Sequence, residues 1–124
     1  MRKLMAAGAF ALLAGCVGTP PLSGGWGAPS FADLQASCGG TAADYGADAP
    51  SVYSALYDAW VAKRHGKVTE PQFCAFKNEL VARHAALGAN ADPAARGQWA
   101  SYFNGARAQA LSWRAAVDPS LRGG

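Results

Sequence analysis

Helix-start and helix-stop signals divide residues 30–119 into four segments. Ser30 and Thr69 each have a polar side chain three residues later, the spacing of a capping box. Asp92 is followed by Pro93, which is the pattern of an N-cap and a first helical residue. The predicted helices begin at Ser30, about Pro50, Thr69 and Asp92, and they end at Gly39–Gly40, Gly66, Gly88 and Pro119.

The apolar residues of these segments recur at helical spacing, and no segment alternates as a half-buried strand does. On the last helix they form a stripe about 100° wide. This stripe comprises Trp99, Tyr102, Phe103, Ala106, Ala110, Trp113 and Val117. We therefore predict an all-α domain over residues 30–124, a small bundle of three main helices plus a short N-terminal helix.

The first 15 residues have the pattern of an export signal. Arg2 and Lys3 precede an uncharged, apolar run over residues 4–14. A helix needs about 20 apolar residues to span a bilayer, so this run is too short to do so. Its length and basic flank are those of a secretory signal peptide.

The run ends at residues 13–16, Leu-Ala-Gly-Cys, which closely resemble the lipobox of bacterial lipoproteins. The resemblance implies cleavage of residues 1–15, a diacylglyceryl group on the Cys16 thiol and acylation of the new amino terminus. Two or three acyl chains anchor a protein stably. Because Val17 rather than aspartate follows, the family's sorting rule favours the outer membrane of Gram-negative bacteria, facing the periplasm. The alternatives are an ordinary signal peptide and a cytosolic protein with an apolar first helix.

Residues 16–29 join this cysteine to the domain. The segment after Cys16 is rich in glycine and proline and carries no charge. As a flexible tether it would span roughly 20 Å. Its only bulky residue, Trp26, either docks on the domain or sits at the membrane interface, and the sequence leaves both placements open.

The two remaining cysteines, Cys38 and Cys74, lie in the predicted domain. A core of about 90 residues is marginal without reinforcement. In an exported domain, an even pair of cysteines is most simply a disulfide, although two free buried thiols are the alternative. A metal site is disfavoured because no histidine is spaced to join the pair.

The charge and the motifs argue against several functions. The formal net charge is +3, but Arg2 and Lys3 account for most of it, so the domain lacks the basic surface of a nucleic-acid binder. No nucleophile elbow, phosphate-binding glycine loop or zinc-protease motif occurs. We predict no catalytic residue, metal or cofactor, and interpret three scattered aspartates as loop or surface acids: Asp44, Asp48 and Asp58.

The two histidines, His65 and His84, share no motif. His84 falls within the apolar face of the third helix, ten residues after Cys74. The alternatives for His84 are a Cys–His nucleophile with Cys74 and a partly buried structural histidine, and its place in the apolar face favours the second.

Two helices offer candidate partner surfaces. Arg96, Arg107 and Arg114 are spaced so that they return to within about 20° of one another on the last helix. Tyr53 and Tyr57 lie in a broad apolar arc on the second helix, and such aromatics are enriched at binding hot spots. The alternatives are a rim of arginines over the core and a wide core-facing arc.

These observations favour a membrane-anchored, non-enzymatic interaction or accessory protein of the cell envelope, with an envelope protein as its partner. A narrower hypothesis is a pilotin-like factor that escorts a secretin, because some such lipoproteins resemble this layout. A hypothesis of another class is a small envelope hydrolase or hydrolase inhibitor. A deep polar pocket would favour the enzyme, and a shallow apolar groove beside the second or last helix would favour partner binding.

Overall fold

A computed structural model describes residues 20–40 and 42–119, so the predicted signal peptide and Cys16 lie outside the described residues. Within these ranges the chain is helical and has no strand, which confirms the predicted all-α bundle. None of the described helices combines the length and the apolar character needed to cross a membrane. The helices are α1 (Phe31–Ala36), α2 (Ala49–Arg64), α3 (Glu70–Arg83) and α4 (Pro93–Val117).

Side-chain caps start three of these helices as predicted. The Ser30 hydroxyl accepts a hydrogen bond from the Asp33 amide at 3.0 Å, and the Asp33 carboxylate accepts one from the Ser30 amide. Thr69 and Gln72 form the same reciprocal pair at the start of α3. The Asp92 carboxylate accepts from the third amide of α4. Local contacts between near neighbours therefore set where these helices begin.

The end of α3 differs from the prediction of a continuous helix up to Gly88. The α-helix ends at Arg83, and a wider π-helical turn occupies His84–Gly88. A Cβ atom at Gly88 would lie 2.4 Å from the His84 ring, so only glycine leaves room for that ring. The imidazole therefore packs directly over the last turn.

The core lies mainly between α2 and α4, which make the most extensive helix contact. Small side chains on both helices, Ala59 and Ala110 among them, are fully buried in this core. Phe73 and Leu80 cover this pair from α3, and Phe31 covers it from α1. The buried residues of the α4 stripe are Trp99, Phe103, Ala106 and Ala110.

The Cys38–Cys74 disulfide is present, with Cα atoms 5.6 Å apart. It ties the chain just after α1 to the first turns of α3, which confirms the predicted bridge. Closing a loop of 36 residues stabilises the folded state by about 4 kcal/mol in the chain-entropy treatment.

The described part of the predicted tether, residues 20–29, is folded rather than free. The Gly24 amide donates a hydrogen bond to the Pro21 carbonyl at 2.8 Å. The Phe31 amide at the start of α1 donates to the Leu22 carbonyl, also at 2.8 Å. These bonds fasten the segment to the helical domain, so the treatment of residues 20–29 as flexible chain is corrected.

Candidate functional site: an apolar groove and a polar cleft

A shallow groove of about 380 Å³ runs between α3 and α4. Its lining residues on α3 fall within residues 72–79, and those on α4 recur every three or four positions, so each helix contributes one face. The lining is mostly apolar and consists of Gln72, Ala75, Phe76, Glu79, Tyr102, Ala106, Gln109 and Trp113. The groove exists because α3 packs mainly on α2 and touches α4 over a short length only.

Aromatic side chains form the floor of this groove. The Phe76 and Trp113 rings meet edge to face with their centroids 5.4 Å apart, and both side chains are half-buried. The Tyr102 ring packs against the Trp99 ring, with their centroids 5.9 Å apart. Burial raises the pKa of the Tyr102 hydroxyl. Like an ordinary tyrosine hydroxyl, it is protonated at neutral pH and can donate a hydrogen bond to a bound group.

Charged and amide side chains border the groove. Arg83 pairs with Glu79 at 2.7 Å, and its guanidinium lies 4.8 Å from the centre of the Tyr102 ring. Exposed Gln109 lies on the opposite helix. An apolar floor with a polar border is the composition of a protein–protein binding site.

A polar cleft of about 230 Å³ lies near the start of α2, bordered by the π-helical turn. The His84 Nε2 atom is 3.2 Å from the Asp48 carboxylate. The His84 side chain is 8% exposed, and its imidazole is held between the Tyr45 and Trp99 rings. Arg96 donates a hydrogen bond to the Gly88 carbonyl at the edge of the cleft.

In this cleft, His84 is paired with Asp48 and Arg96 with the Gly88 carbonyl. Among the described residues that line it, there is no serine, threonine, cysteine or lysine to act as a nucleophile. Cys74 cannot pair with His84 as a thiol nucleophile because it is in the disulfide. The prediction that His84 is a structural histidine agrees with its burial between two rings. No group of three potential metal ligands occurs in residues 20–40 and 42–119.

The Tyr45 hydroxyl is buried and has no hydrogen-bond partner among the described residues. Burial raises its pKa to about 12, and the neighbouring Tyr102 adds to the effect. An unpaired buried hydroxyl costs free energy because it has lost its bond to water.

The three predicted surface arginines have different roles. Arg114 donates a hydrogen bond to the Asp58 carboxylate at 2.8 Å, and the two side chains are 14% and 9% exposed. It also contacts Asp118 at 3.3 Å and lies over the Tyr57 ring. Arg114 therefore joins α4 to α2 and is not free for a partner. Arg96 binds the Gly88 carbonyl. Arg107 is exposed, and its charge helps Arg114 to lower the pKa of Asp58.

The two predicted surface tyrosines differ in burial. Tyr53 is 1% exposed, and its hydroxyl donates to the Pro29 carbonyl at 2.7 Å, so it belongs to the core and its assignment to a partner surface is corrected. Tyr57 is half-buried and stacks on Trp60, with ring centres 5.6 Å apart. Of this pair, Tyr57 alone reaches the surface.

The groove was missed from the sequence. Its aromatic residues were assigned to the core because they fall in the apolar stripes of their helices. The local sign of an open groove is that polar residues share these faces: Gln72, Glu79 and Gln109. Comparison with models of protein families, with curated proteins and with solved structures finds no match for this chain.

Proposed function

We propose that this chain is a lipid-anchored accessory protein of the bacterial cell envelope that binds an apolar segment of another envelope protein in the α3–α4 groove. The observation that carries the proposal is the groove itself, with its floor of Phe76, Tyr102 and Trp113. The lipobox at residues 13–16 supports the anchor on Cys16.

The shape and lining of the groove favour an amphipathic partner helix. The two helices border a shallow, mostly apolar groove, and a partner helix can lay its apolar stripe into a groove of this kind. Tyrosine and tryptophan are enriched among the residues that dominate binding energy. The Glu79–Arg83 pair at the border would meet the polar face of the bound segment.

The binding proposal is tested with Ala75→Glu, which places a charge in the groove without removing a core side chain. Ala75 lines the groove and is exposed. Ala82→Glu is the matched control, because Ala82 is exposed on the same helix outside the groove. Both substitutions lie within one turn of Glu79, so their local charge effects are similar.

The assay is quantitative co-purification of envelope proteins from detergent-solubilised membranes. We expect a partner that the wild type and Ala82→Glu retain equally and that Ala75→Glu loses by about tenfold or more, since burying a charge costs more than the 1.4 kcal/mol of a tenfold change. If every retained protein binds both variants alike, the groove is not the binding site. Circular dichroism verifies that both variants fold.

The anchor is tested separately by Cys16→Ser. The wild type should sediment with membranes and carry acyl chains in its mass spectrum, and the variant should carry none at that position. Wild-type protein found in the soluble periplasmic fraction would contradict the anchor.

A narrower form of the proposal is a pilotin-like factor that escorts a secretin. The combined layout of a lipobox, a small disulfide-bonded helical domain and a groove supports it by architectural analogy. In cells that make a secretin, loss of this chain should deplete secretin multimers from the outer membrane. Ala82→Glu should restore them and Ala75→Glu should not. Normal multimers in the absence of the chain would exclude this form.

A further inference from the structure

The Trp26 side chain is fully exposed, at 103% of the reference value, which is exceptional for the largest apolar residue. It therefore contributes no packing to the fold. Leu22, four residues before it, is the other large apolar side chain of this segment that is exposed.

A tight turn holds Trp26 in this position. The amides of Gly25 and Ala28 each donate to the other's carbonyl, at 3.3 and 3.0 Å. Gly24 and Gly27 adopt positive φ angles of 83° and 65°, which glycine adopts without strain. A Cβ atom at Gly24 would lie 2.8 Å from the Ala28 carbonyl oxygen. The turn is thus built from backbone bonds and glycines, and the indole stands outside it.

The turn is fastened to the domain at both of its ends. The Leu22 carbonyl accepts a hydrogen bond from the Phe31 amide at 2.8 Å. The Pro29 carbonyl accepts one from the buried Tyr53 hydroxyl at 2.7 Å. Trp26 therefore moves with the helical domain rather than with a free linker.

The chain length places this turn close to the proposed anchor. Only four peptide steps separate Cys16 from Pro20, where the described structure begins, and they reach at most about 14 Å. A lipid on Cys16 would hold this end of the domain at the bilayer surface. Residues 17–32 carry no charge that would oppose contact with lipid.

We propose that Trp26 is a second membrane contact, with its indole in the headgroup region of the bilayer that holds the Cys16 lipid. Tryptophan prefers this region because its ring is apolar and its N–H can remain hydrogen-bonded. The proposal rests on the proposed anchor and adds to it, because a lipid and a rigidly held indole together fix the orientation of the domain. The turn is bonded to Phe31 at the start of α1 and to Tyr53 on α2, whereas the groove is formed by α3 and α4.

The test uses the full lipidated protein in vesicles of phosphatidylethanolamine and phosphatidylglycerol, with or without a phospholipid brominated on its acyl chains. The chain has four tryptophans. Subtracting the fluorescence of Trp26→Phe from that of the wild type isolates the Trp26 signal. We expect bromine to quench most of this signal and an aqueous quencher to leave most of it intact. Trp60→Phe is the matched control, because Trp60 stacks on Tyr57 on α2 and does not line the groove, and this variant should retain the quenching by bromine.

The outcomes separate this proposal from the anchor. If the protein carries its acyl chains and floats with the vesicles but the Trp26 signal responds only to the aqueous quencher, the second contact is refuted and the anchor stands. A signal shielded from both quenchers indicates docking on protein and also refutes the contact. A mass spectrum without acyl chains contradicts the anchor and the membrane contact together.

Discussion

Replacing Arg114 by glutamine should destabilise the domain without acting on a partner surface. Arg114 forms a 2.8 Å bond to Asp58 across α4 and α2, and both side chains are largely buried. Glutamine keeps much of the side-chain volume but removes the charge. The Asp58 carboxylate would then be buried without its cation.

The expected loss is about 3 kcal/mol at pH 7. Unit charges roughly 4 Å apart interact by about 4 kcal/mol at an effective dielectric of 20. Removing one partner of a buried pair typically costs about 3–5 kcal/mol. We take the lower end because burial raises the pKa of Asp58 even with Arg114 present, which shows that its charge is incompletely compensated.

The assay is urea unfolding of the oxidised protein followed by circular dichroism. With a slope of about 1.5 kcal/mol per molar urea, the midpoint should fall by about 2 M. Arg107 is exposed on α4 and attracts Asp58 more weakly than Arg114 does, without a hydrogen bond to it, so Arg107→Gln should cost no more than about 0.5 kcal/mol. Adding Asp58→Asn to Arg114→Gln should recover part of the loss because neither charge is then buried alone.

The pH dependence gives a second check. Without Arg114 the folded-state pKa of Asp58 should rise further above its ordinary value of 3.8, since Arg114 now lowers it. A raised carboxyl pKa favours the folded state at low pH, and this contribution is lost as the pH rises through the folded pKa. The deficit of Arg114→Gln should therefore be smallest near pH 4. Equal stability of the Arg114 and Arg107 variants, or an additive double variant, would refute the reasoning.

Three further predictions concern stability. Tyr45→Phe should raise the free energy of unfolding by about 1 kcal/mol, because it removes a buried unpaired hydroxyl. Between pH 10 and 12, where an unfolded tyrosine ionises before buried Tyr45 does, the wild type should lose roughly 2–3 kcal/mol more than Tyr45→Phe in urea titrations. Both proteins should share the smaller loss from Tyr53 and Tyr102, whose pKa values are also raised by burial. Replacing Cys38 and Cys74 together by serine should cost about 4 kcal/mol, and an unchanged melting temperature would contradict the bridge's contribution. Gly88→Ala should cost about 2 kcal/mol by displacing the His84 ring, and melting at the wild-type temperature would contradict that clash.

The sequence by itself determined the helices and their starts. Ser30, Thr69 and Asp92 cap their helices through bonds to amides three residues away, and such contacts form whatever the rest of the chain does. Apolar spacing of three and four residues identified the helix faces for the same reason. The Cys38–Cys74 pairing also followed, because two cysteines in the predicted domain allow a single intramolecular bridge.

Only the tertiary structure decided how these faces are covered. Tyr53 and Tyr57 lie one turn apart on α2, yet the first is in the core and the second reaches the surface beside Arg114. Arg114 finds Asp58 across 56 positions of sequence, a contact that no local pattern encodes. The α3–α4 groove is open, and Trp26 is exposed, because no other described part of the chain covers them. Caps and periodicity are short-range interactions, whereas burial is a property of the assembled helices, so the candidate site emerged only from their packing.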